Sequence, residues 1–269
     1  TLPALAAHFN TTVEEILQAN PFIPASATTL PPGMPMQIPI YYRPFWGNPT
    51  RLLPDSLFVN GPAQVGFDIQ EFVANTRQDG RHGWLTDYRG YVAGKTRTGA
   101  QIVELVALNY SVSPRLLLAL LEYQSGAVTQ SLSASSAAAP ARTPDRENYP
   151  LGYVARQYTG LYMQLVWAAN TLNNGYYGWR IGSLNRLEVR SGSRLLEEHP
   201  DPWQNAATVA IQYFFSRVLE KEAYQQAISA EGLAATYQTL FGDPWADAED
   251  RPHIPGSLAQ PELALPFQP

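Results

Sequence analysis

Residues 113–126 constrain the fold more than any other stretch of this sequence, because they carry a start signal, an apolar body and a stop signal for one helix. The stretch reads SPRLLLALLEYQSG. Ser113 can cap the helix, Pro114 fits its first turn, and Gly126 can end it. Apolar side chains surround the whole circumference between these residues, which predicts a helix that is buried on nearly all sides.

Glu122 is the only acidic residue inside this predicted helix. Leu118, Glu122 and Ser125 are spaced i, i+4 and i+7, so they lie in one row along the helix. A carboxylic acid in such a place is either part of a solvated helix edge or a general acid of an active site. The helix alone leaves both interpretations open.

Composition excludes several classes of function. The 269 residues carry a net charge of −5 and no cysteine. We therefore expect no nucleic-acid partner, no disulfide, no thiol catalysis and no thiolate metal site. No apolar run approaches the roughly 20 residues that a membrane span needs. The four histidines share no spacing of metal ligands, so we predict neither a metal site nor a cofactor.

Residues 1–40 read as two short helices followed by a strand. Thr12 and Glu15 can form a capping box at the start of the second helix, and Asn20-Pro21 ends it. A Pro-Gly turn then leads into a short strand that ends at Pro39. This order resembles the LysM module, whose pattern runs through a Thr-Val-Glu-Glu helix, Ala-Asn-Pro, and Pro-Gly before a final strand.

The LysM resemblance implies binding of glycans that contain N-acetylglucosamine. Two loops would carry it, namely Thr1 and Leu2 in one and Pro21, Phe22 and Ile23 in the other. The family's first strand and its Gly-Asp are absent, so the strand either was lost with upstream chain or is supplied by another segment. We accordingly expect the chain to be a processed or excised part of a longer protein. The alternative for this module is a small helical cap without a ligand.

The rest of the chain divides into three parts by pattern. Residues 41–66 are aromatic and rich in proline, which favours a connector, and residues 251–269 favour a stiff tail or linker. Between them, 67–250 read as an all-α domain with long loops and a small hairpin. The predicted elements are helices at 99–110, 113–126, 160–173, 206–219 and within 223–241, and a hairpin at 187–196. The predicted fold class is therefore mainly α.

Three motifs in this region resemble those of the lysozyme-like lytic transglycosylases. The family's buried helix that ends in Glu-Ser is matched by residues 113–126, and its Gly-Leu-Met-Gln-Leu by GLYMQL at 160–165 with one insertion. Its Asn-Leu-x-Ala-Gly followed by aromatics is matched by TLNNGYY at 171–177. A fourth motif, Ala-Tyr-Asn-Ala-Gly, is barely recognisable at 210–213.

This second resemblance implies a glycan groove and a catalytic acid. Aligning Ser125 with the family's serine places Gln124 at the catalytic position, and an amide cannot donate the required proton. Glu122 lies about 200° further around the helix, so it would need a groove along that other row. Asp145 or Glu147 could supply a second carboxylate. The glycan-contacting residues in this region would be Ser125, Gln164, Tyr176, Tyr177 and Trp179, although the three aromatics could equally be packed into the core.

The combined order is similar to the N-terminal part of secreted cell-wall proteins from bacteria of the Chloroflexota type, in which a catalytic peptidase domain can follow. We expect a secreted or wall-associated protein that recognises peptidoglycan or a chitin-like glycan. Its helical domain would either cleave the glycan strand or only hold it. The alternative is a structural extracellular protein without activity that self-associates by strand or tail exchange.

Overall fold

A mainly α fold is confirmed by the structure, a computed structural model that describes residues 1–9, 11–27, 29–39, 50–78, 80–132, 143, 145–201 and 204–246. The helices are α1 (Leu2–His8), α2 (Val13–Ala19), α3 (Ile69–Asn75), α4 (Trp84–Asp87), α5 (Gly99–Tyr110), α6 (Pro114–Ser125), α7 (Leu161–Ile181), α8 (Ala206–Val218), α9 (Lys221–Ala227) and α10 (Ala235–Phe241). Short 3₁₀ turns lie at Asp55–Leu57, Pro62–Gln64 and Arg156–Tyr158, and a π turn at Ala230–Ala234 precedes α10. The predicted tail, 251–269, lies outside the described residues.

Three antiparallel hairpins complete the described part of the chain. They are β1 (Arg77–Gln78) with β2 (Arg81–His82), β3 (Arg89–Val92) with β4 (Lys95–Thr98), and β5 (Leu187–Ser191) with β6 (Arg194–Glu198). The last confirms the predicted hairpin. The first two correct the expectation of an all-α region. Ala93 and Gly94 form the β3–β4 turn with φ of 50° and 80°. Two-residue turns of this kind usually carry Asn-Gly or Asp-Gly, so Ala-Gly does not indicate a hairpin in the sequence.

The two N-terminal helices form a module with an apolar core of its own. Thr12 and Glu15 make the predicted capping box, in which each side chain accepts a hydrogen bond from the other residue's backbone N–H. The buried members of this core come from both helices and the loop after them: Leu2, Leu5, Ala6, Ile16 and Ile23. This core is separate from the large apolar cluster of the remaining chain.

The predicted strand of this module finds no strand partner among the described residues. The side chain of Asn20 takes the place of such a partner, because its Nδ2 donates to the Gln37 carbonyl at 2.5 Å and its Oδ1 accepts from the Gln37 N–H at 2.7 Å. Asn20 is fully buried. A side-chain amide carries one donor and one acceptor in the geometry of a peptide group, so it satisfies one residue of the segment as a neighbouring strand would.

The described part of the predicted connector, residues 50–66, contributes to the larger core. Leu52, Leu53 and Phe58 are buried there at 1% exposure or less. Asp55 accepts hydrogen bonds from the Ala207 N–H at 2.8 Å and the Asn205 side chain at 2.7 Å. This carboxylate therefore caps the N-terminus of α8 from about 150 positions away in the sequence.

Helix α6 has the predicted boundaries and burial. Ser113 accepts from the Leu116 N–H, Pro114 begins the helix, and Gly126 ends it at a φ of 64°. All its residues except Arg115 and Glu122 are buried. The preceding helix, α5, also has its predicted limits, and its Leu108 side chain is 64% exposed.

Helix α7 continues well beyond the predicted stop at Asn174-Gly175. It runs to Ile181 and ends at Gly182, which has a φ of 74°. Gly175 is needed for a different reason, since a β-carbon there would lie 2.8 Å from the Ala210 Cα of α8. The glycine lets the two helices approach closely, and this packing outweighs its low helix propensity.

Replacing Gly175 with alanine is expected to force α7 and α8 apart. The free energy of unfolding should fall by about 1–3 kcal/mol, the usual cost of overpacking. Urea denaturation followed by circular dichroism measures this change. Asn174→Ala, one position earlier and exposed, should change stability by no more than about 0.5 kcal/mol. Equal effects of the two substitutions would contradict the close-packing role of Gly175.

Candidate functional site

The last turn of α6 carries the three side chains on which the catalytic prediction rests. Gln124 and Ser125 are buried at 1% and 0% exposure, whereas Glu122 is half-buried. The Ser125 hydroxyl donates to the Leu121 carbonyl at 2.8 Å, one turn back in the same helix. Ser125 is therefore occupied inside the helix and does not face a groove.

Both carboxylate oxygens of Glu122 are bound to the chain that follows α6. One accepts from the Val128 and Thr129 N–H groups at 2.8 and 3.1 Å, and the other accepts from the Thr129 hydroxyl. The left-handed conformation of Gly126 turns the chain back so that these groups reach the carboxylate. Glu122 thus anchors the segment 127–130.

That segment is held from its other side by the start of α4. Backbone N–H groups of Gly83, Trp84 and Leu85 donate to the carbonyls of residues 128, 130 and 127 at 2.8–3.0 Å. A β-carbon on Gly83 would lie 2.2 Å from the Ala127 carbonyl oxygen, so only glycine fits. Glu122 consequently stabilises a junction between α4 and α6.

Gln124 and Gln164 are linked through Leu151, and both side chains bind protein backbone. Gln124 Nε2 donates to the Leu151 carbonyl at 3.1 Å, and the Leu151 N–H donates to Gln164 Oε1 at 3.3 Å. Gln164 Nε2 donates to the carbonyls of Tyr153 and Tyr158 at 2.8 Å each. The two buried amides, one on α6 and one on α7, therefore hold segment 151–158 beside the end of α6.

The three aromatics near the end of α7 do not form one exposed platform. Tyr176 is 3% exposed and stacks on Phe58 with ring centroids 4.3 Å apart, and its burial raises the pKa of the phenol. Trp179 Nε1 donates to the Gln204 carbonyl at 3.0 Å. Tyr177 is 52% exposed. Of these three residues, only Tyr177 is more than half exposed. Successive residues of a helix are about 100° apart around its axis, so Tyr176 and Trp179 point in other directions.

The two predicted LysM loops divide into exposed and buried residues. Thr1, Pro21 and Phe22 are exposed, and the Phe22 ring reaches 61%. Leu2 and Ile23 are buried members of the same small core. Their shared core brings the two loops together, with Phe22 above it as the large apolar side chain on the surface.

The remaining charged candidates make local contacts. Asp145 accepts from the backbone and side chain of Asn148 at 2.9 and 3.0 Å, and these hydrogen bonds lower the pKa of its carboxyl. His199 contacts the Asn185 carbonyl and the Glu197 carboxylate. Within the described ranges, no three His, Asp or Glu side chains are grouped as ligands of a metal ion. No helix in that part of the chain has the length and apolarity needed to cross a membrane.

Comparison with known families gives two matches along the chain. The family model described as LasA, N-terminal domain, matches residues 51–255, which is more than half of the sequence. The chain belongs to the LasA N-terminal domain family. The model of the LysM domain matches residues 1–39 and confirms the predicted module. No curated protein and no solved structure matches the chain.

The LasA N-terminal domain match begins where the structure places the edge of the larger core. Among the described residues, Leu52 and Leu53 are the first that are buried in this core, and the Leu52 N–H donates to the Thr208 hydroxyl at 2.9 Å. Sequence reasoning missed this boundary, because prolines and aromatics around 41–66 have the composition of a linker. The pair Leu52-Leu53 was the available signal. It is a short apolar run before a proline, typical of a segment that enters a core.

Removal of the Glu122 carboxylate from this LasA N-terminal domain is expected to loosen the segment it anchors. Glu122→Ala leaves the Val128 and Thr129 N–H groups without their acceptor, so the free energy of unfolding should fall by about 1–3 kcal/mol. Hydrogen exchange at those two amides should accelerate. Glu104→Ala is the matched control, since Glu104 is also half-buried on a neighbouring helix and its side chain has no hydrogen bond among the described residues. Unchanged exchange in Glu122→Ala would contradict the anchoring role.

Proposed function

We propose that this protein recognises peptidoglycan or a related N-acetylglucosamine-containing glycan outside the cell, and that its helical region holds the strand without cleaving it. The observation that supports this most is the LysM domain match over residues 1–39, together with the separate core of that module. The match to the LasA N-terminal domain supports a secreted, cell-wall-related setting.

The arrangement of the LysM loops suits a sugar chain. Pro21 and Phe22 are both exposed beside the small core, and Leu2 and Ile23 fix the backbone of the two loops from below. Sugar rings carry C–H faces that pack on aromatic and proline rings, while loop backbone groups can bond to hydroxyl and N-acetyl groups. Phe22 is the side chain we assign to the stacking contact.

The helical region has the candidate features of a degenerate lysozyme-like domain. A buried helix ends in Gln124-Ser125, and Gln164 from the next long helix meets it through Leu151. Gln124 has no acidic proton, and segment 151–158 occupies the space beside it. Glu122, the alternative acid, has both oxygens engaged by the segment 127–130. Holding the strand therefore fits these contacts better than cleaving it.

Self-assembly by strand exchange is the weaker alternative. An open strand edge would favour it, since such an edge offers unpaired N–H and C=O groups to another chain. Asn20 already occupies both groups of Gln37. This contact shortens the edge that a second copy could pair with.

Substitution of Phe22 tests the recognition proposal. Phe22→Ala should weaken binding to insoluble peptidoglycan about 3- to 10-fold, which corresponds to roughly 0.5–1.5 kcal/mol for one aromatic stacking contact. Sedimentation with purified sacculi over a range of protein concentrations measures the affinity. Tyr91→Ala, which removes another highly exposed ring on β3, should leave it unchanged. No retention of the unaltered protein would refute the proposal.

Product analysis tests the proposed absence of cleavage. Incubation with purified sacculi should release no soluble muropeptides above a protein-free control, because the helical region presents no free acid at either candidate position. Chromatography with mass detection measures the release. Release by the unaltered protein that is lost in Glu122→Gln would show that Glu122 is a catalytic acid and that the holding role is wrong.

A further inference from the structure

A cavity of about 420 Å³ opens between α3, the start of α6 and α10, in a part of the molecule that the proposed glycan site does not use. Four aromatic side chains and one arginine form most of its apolar and charged lining. These are Phe67, Phe72, Tyr237, Phe241 and Arg115. We call this cavity the aromatic pocket.

The rings support one another and form a firm apolar wall. Phe67, Phe72 and Phe241 are in mutual contact, with centroids 4.9–5.7 Å apart, and Tyr237 lies 5.1 Å from Phe241. Burial raises the pKa of Tyr237 to about 12, so its phenol is neutral. Half-buried phenylalanines around an open cavity leave apolar area that a ligand could cover.

Arg115 supplies a positive charge that forms no ion pair with any described residue, although Asp243 lines the same cavity. Its guanidinium lies over the Phe67 ring at 4.4 Å, and Nη1 donates to the Ala63 carbonyl and to Gln64 Oε1 at 2.8 and 3.2 Å. No carboxylate of the described residues forms an ion pair with it, and its Nε and Nη2 donors have no hydrogen bond there. These contacts orient the guanidinium and leave donors available.

A second donor beside Arg115 also lacks an acceptor. Gln64 is 6% exposed, and its Nε2 has no hydrogen-bond partner among the described residues. Its Oε1 is the atom that binds Arg115. Gln64 does not line the cavity, so its role there is to orient the Arg115 guanidinium, and the Nε and Nη2 donors of Arg115 are the ones available to an anionic acceptor.

The rim of the aromatic pocket is polar. Ser56, Gly242 and Asp243 line it, and the Asp243 carboxylate is held by the Trp245 N–H at 2.9 Å. Hydroxyl, carboxylate and exposed glycine backbone can bond to peptide groups. A simple apolar acid would leave this rim unused.

We propose that the aromatic pocket binds a peptide that ends in a free α-carboxylate and an apolar side chain. Arg115 binds the carboxylate through its Nε and Nη2 edge, in the two-point geometry that guanidinium groups favour. The rings of Phe67, Phe72 and Phe241 cover the terminal side chain, and Ser56 and Asp243 bond to the preceding peptide group. This site is independent of Phe22 and of the proposed glycan contact.

Titration of the full chain with N-acetyl-alanyl-phenylalanine tests the proposal. Calorimetry should show the free acid binding at least about tenfold tighter than the same dipeptide as its C-terminal amide, because the amide loses the charge-assisted pair. N-acetyl-alanyl-glycine should bind more weakly than the phenylalanine peptide. Equal affinity for acid and amide, or no binding of the acid at millimolar concentration, would overturn the proposal.

Two substitutions separate the role of Arg115 from general stability. Arg115→Gln should abolish the preference for acid over amide, and Arg115→Lys should retain part of it because the charge remains. Arg180→Gln is the matched control, since Arg180 also contacts an aromatic ring and donates to the Tyr176 hydroxyl, but on α7. It should leave peptide binding unchanged. A preference that persists in Arg115→Gln, or is lost equally in Arg180→Gln, would contradict the assignment.

Discussion

Burial of α6 on nearly all sides is the constraint on which the site depends. Polar groups at the end of a buried helix must find partners inside the protein, because an unpaired buried group costs more than a hydrogen bond returns. Glu122 meets this requirement with segment 127–130, and Gln124 Nε2 meets it with the Leu151 carbonyl, whereas the buried Gln124 Oε1 has no hydrogen-bond partner among the described residues. Most of the polar atoms that chemistry on a substrate would need are therefore already bound to the protein.

Helix ends were predictable from sequence wherever the signal was local. Serine commonly caps the start of a helix and glycine commonly ends one, and Ser113 and Gly126 do so here as predicted. Gly175 shows why such signals fail elsewhere. A glycine after Asn174 predicts the end of a helix, but here α8 packs against Gly175 and the helix continues. That packing partner lies about 35 positions further along the chain, so the residues around Gly175 do not reveal it. Asp55 is a similar case, because the helix it caps begins about 150 positions later.

Sequence motifs named Gln124 and Gln164 as candidate site residues, and in the structure both amides bind the backbone of Leu151. Nothing in the motifs indicates that both amides would bind backbone, since that depends on the path of segment 151–158. The aromatics of α7 show the same limit. Tyr176, Tyr177 and Trp179 are all aromatic, yet their different positions around the helix axis bury Tyr176 and expose Tyr177.

Contact between the LysM module and the helical region affects how a bound glycan could be presented. A β-carbon on Gly182 would lie 2.3 Å from the Pro3 carbonyl oxygen, so the end of α7 meets the start of α1 without a side chain between them. Pro3 follows directly on Thr1 and Leu2, the first of the two loops assigned to the glycan. The first of these loops therefore lies close to the exposed end of α7, where Tyr177 and Ile181 are one turn apart and more than half exposed. Because the joint is backbone against backbone, a larger residue at position 182 would move the loop as well as the helix. The glycan contact proposed for this loop would therefore be coupled to the packing of the larger core.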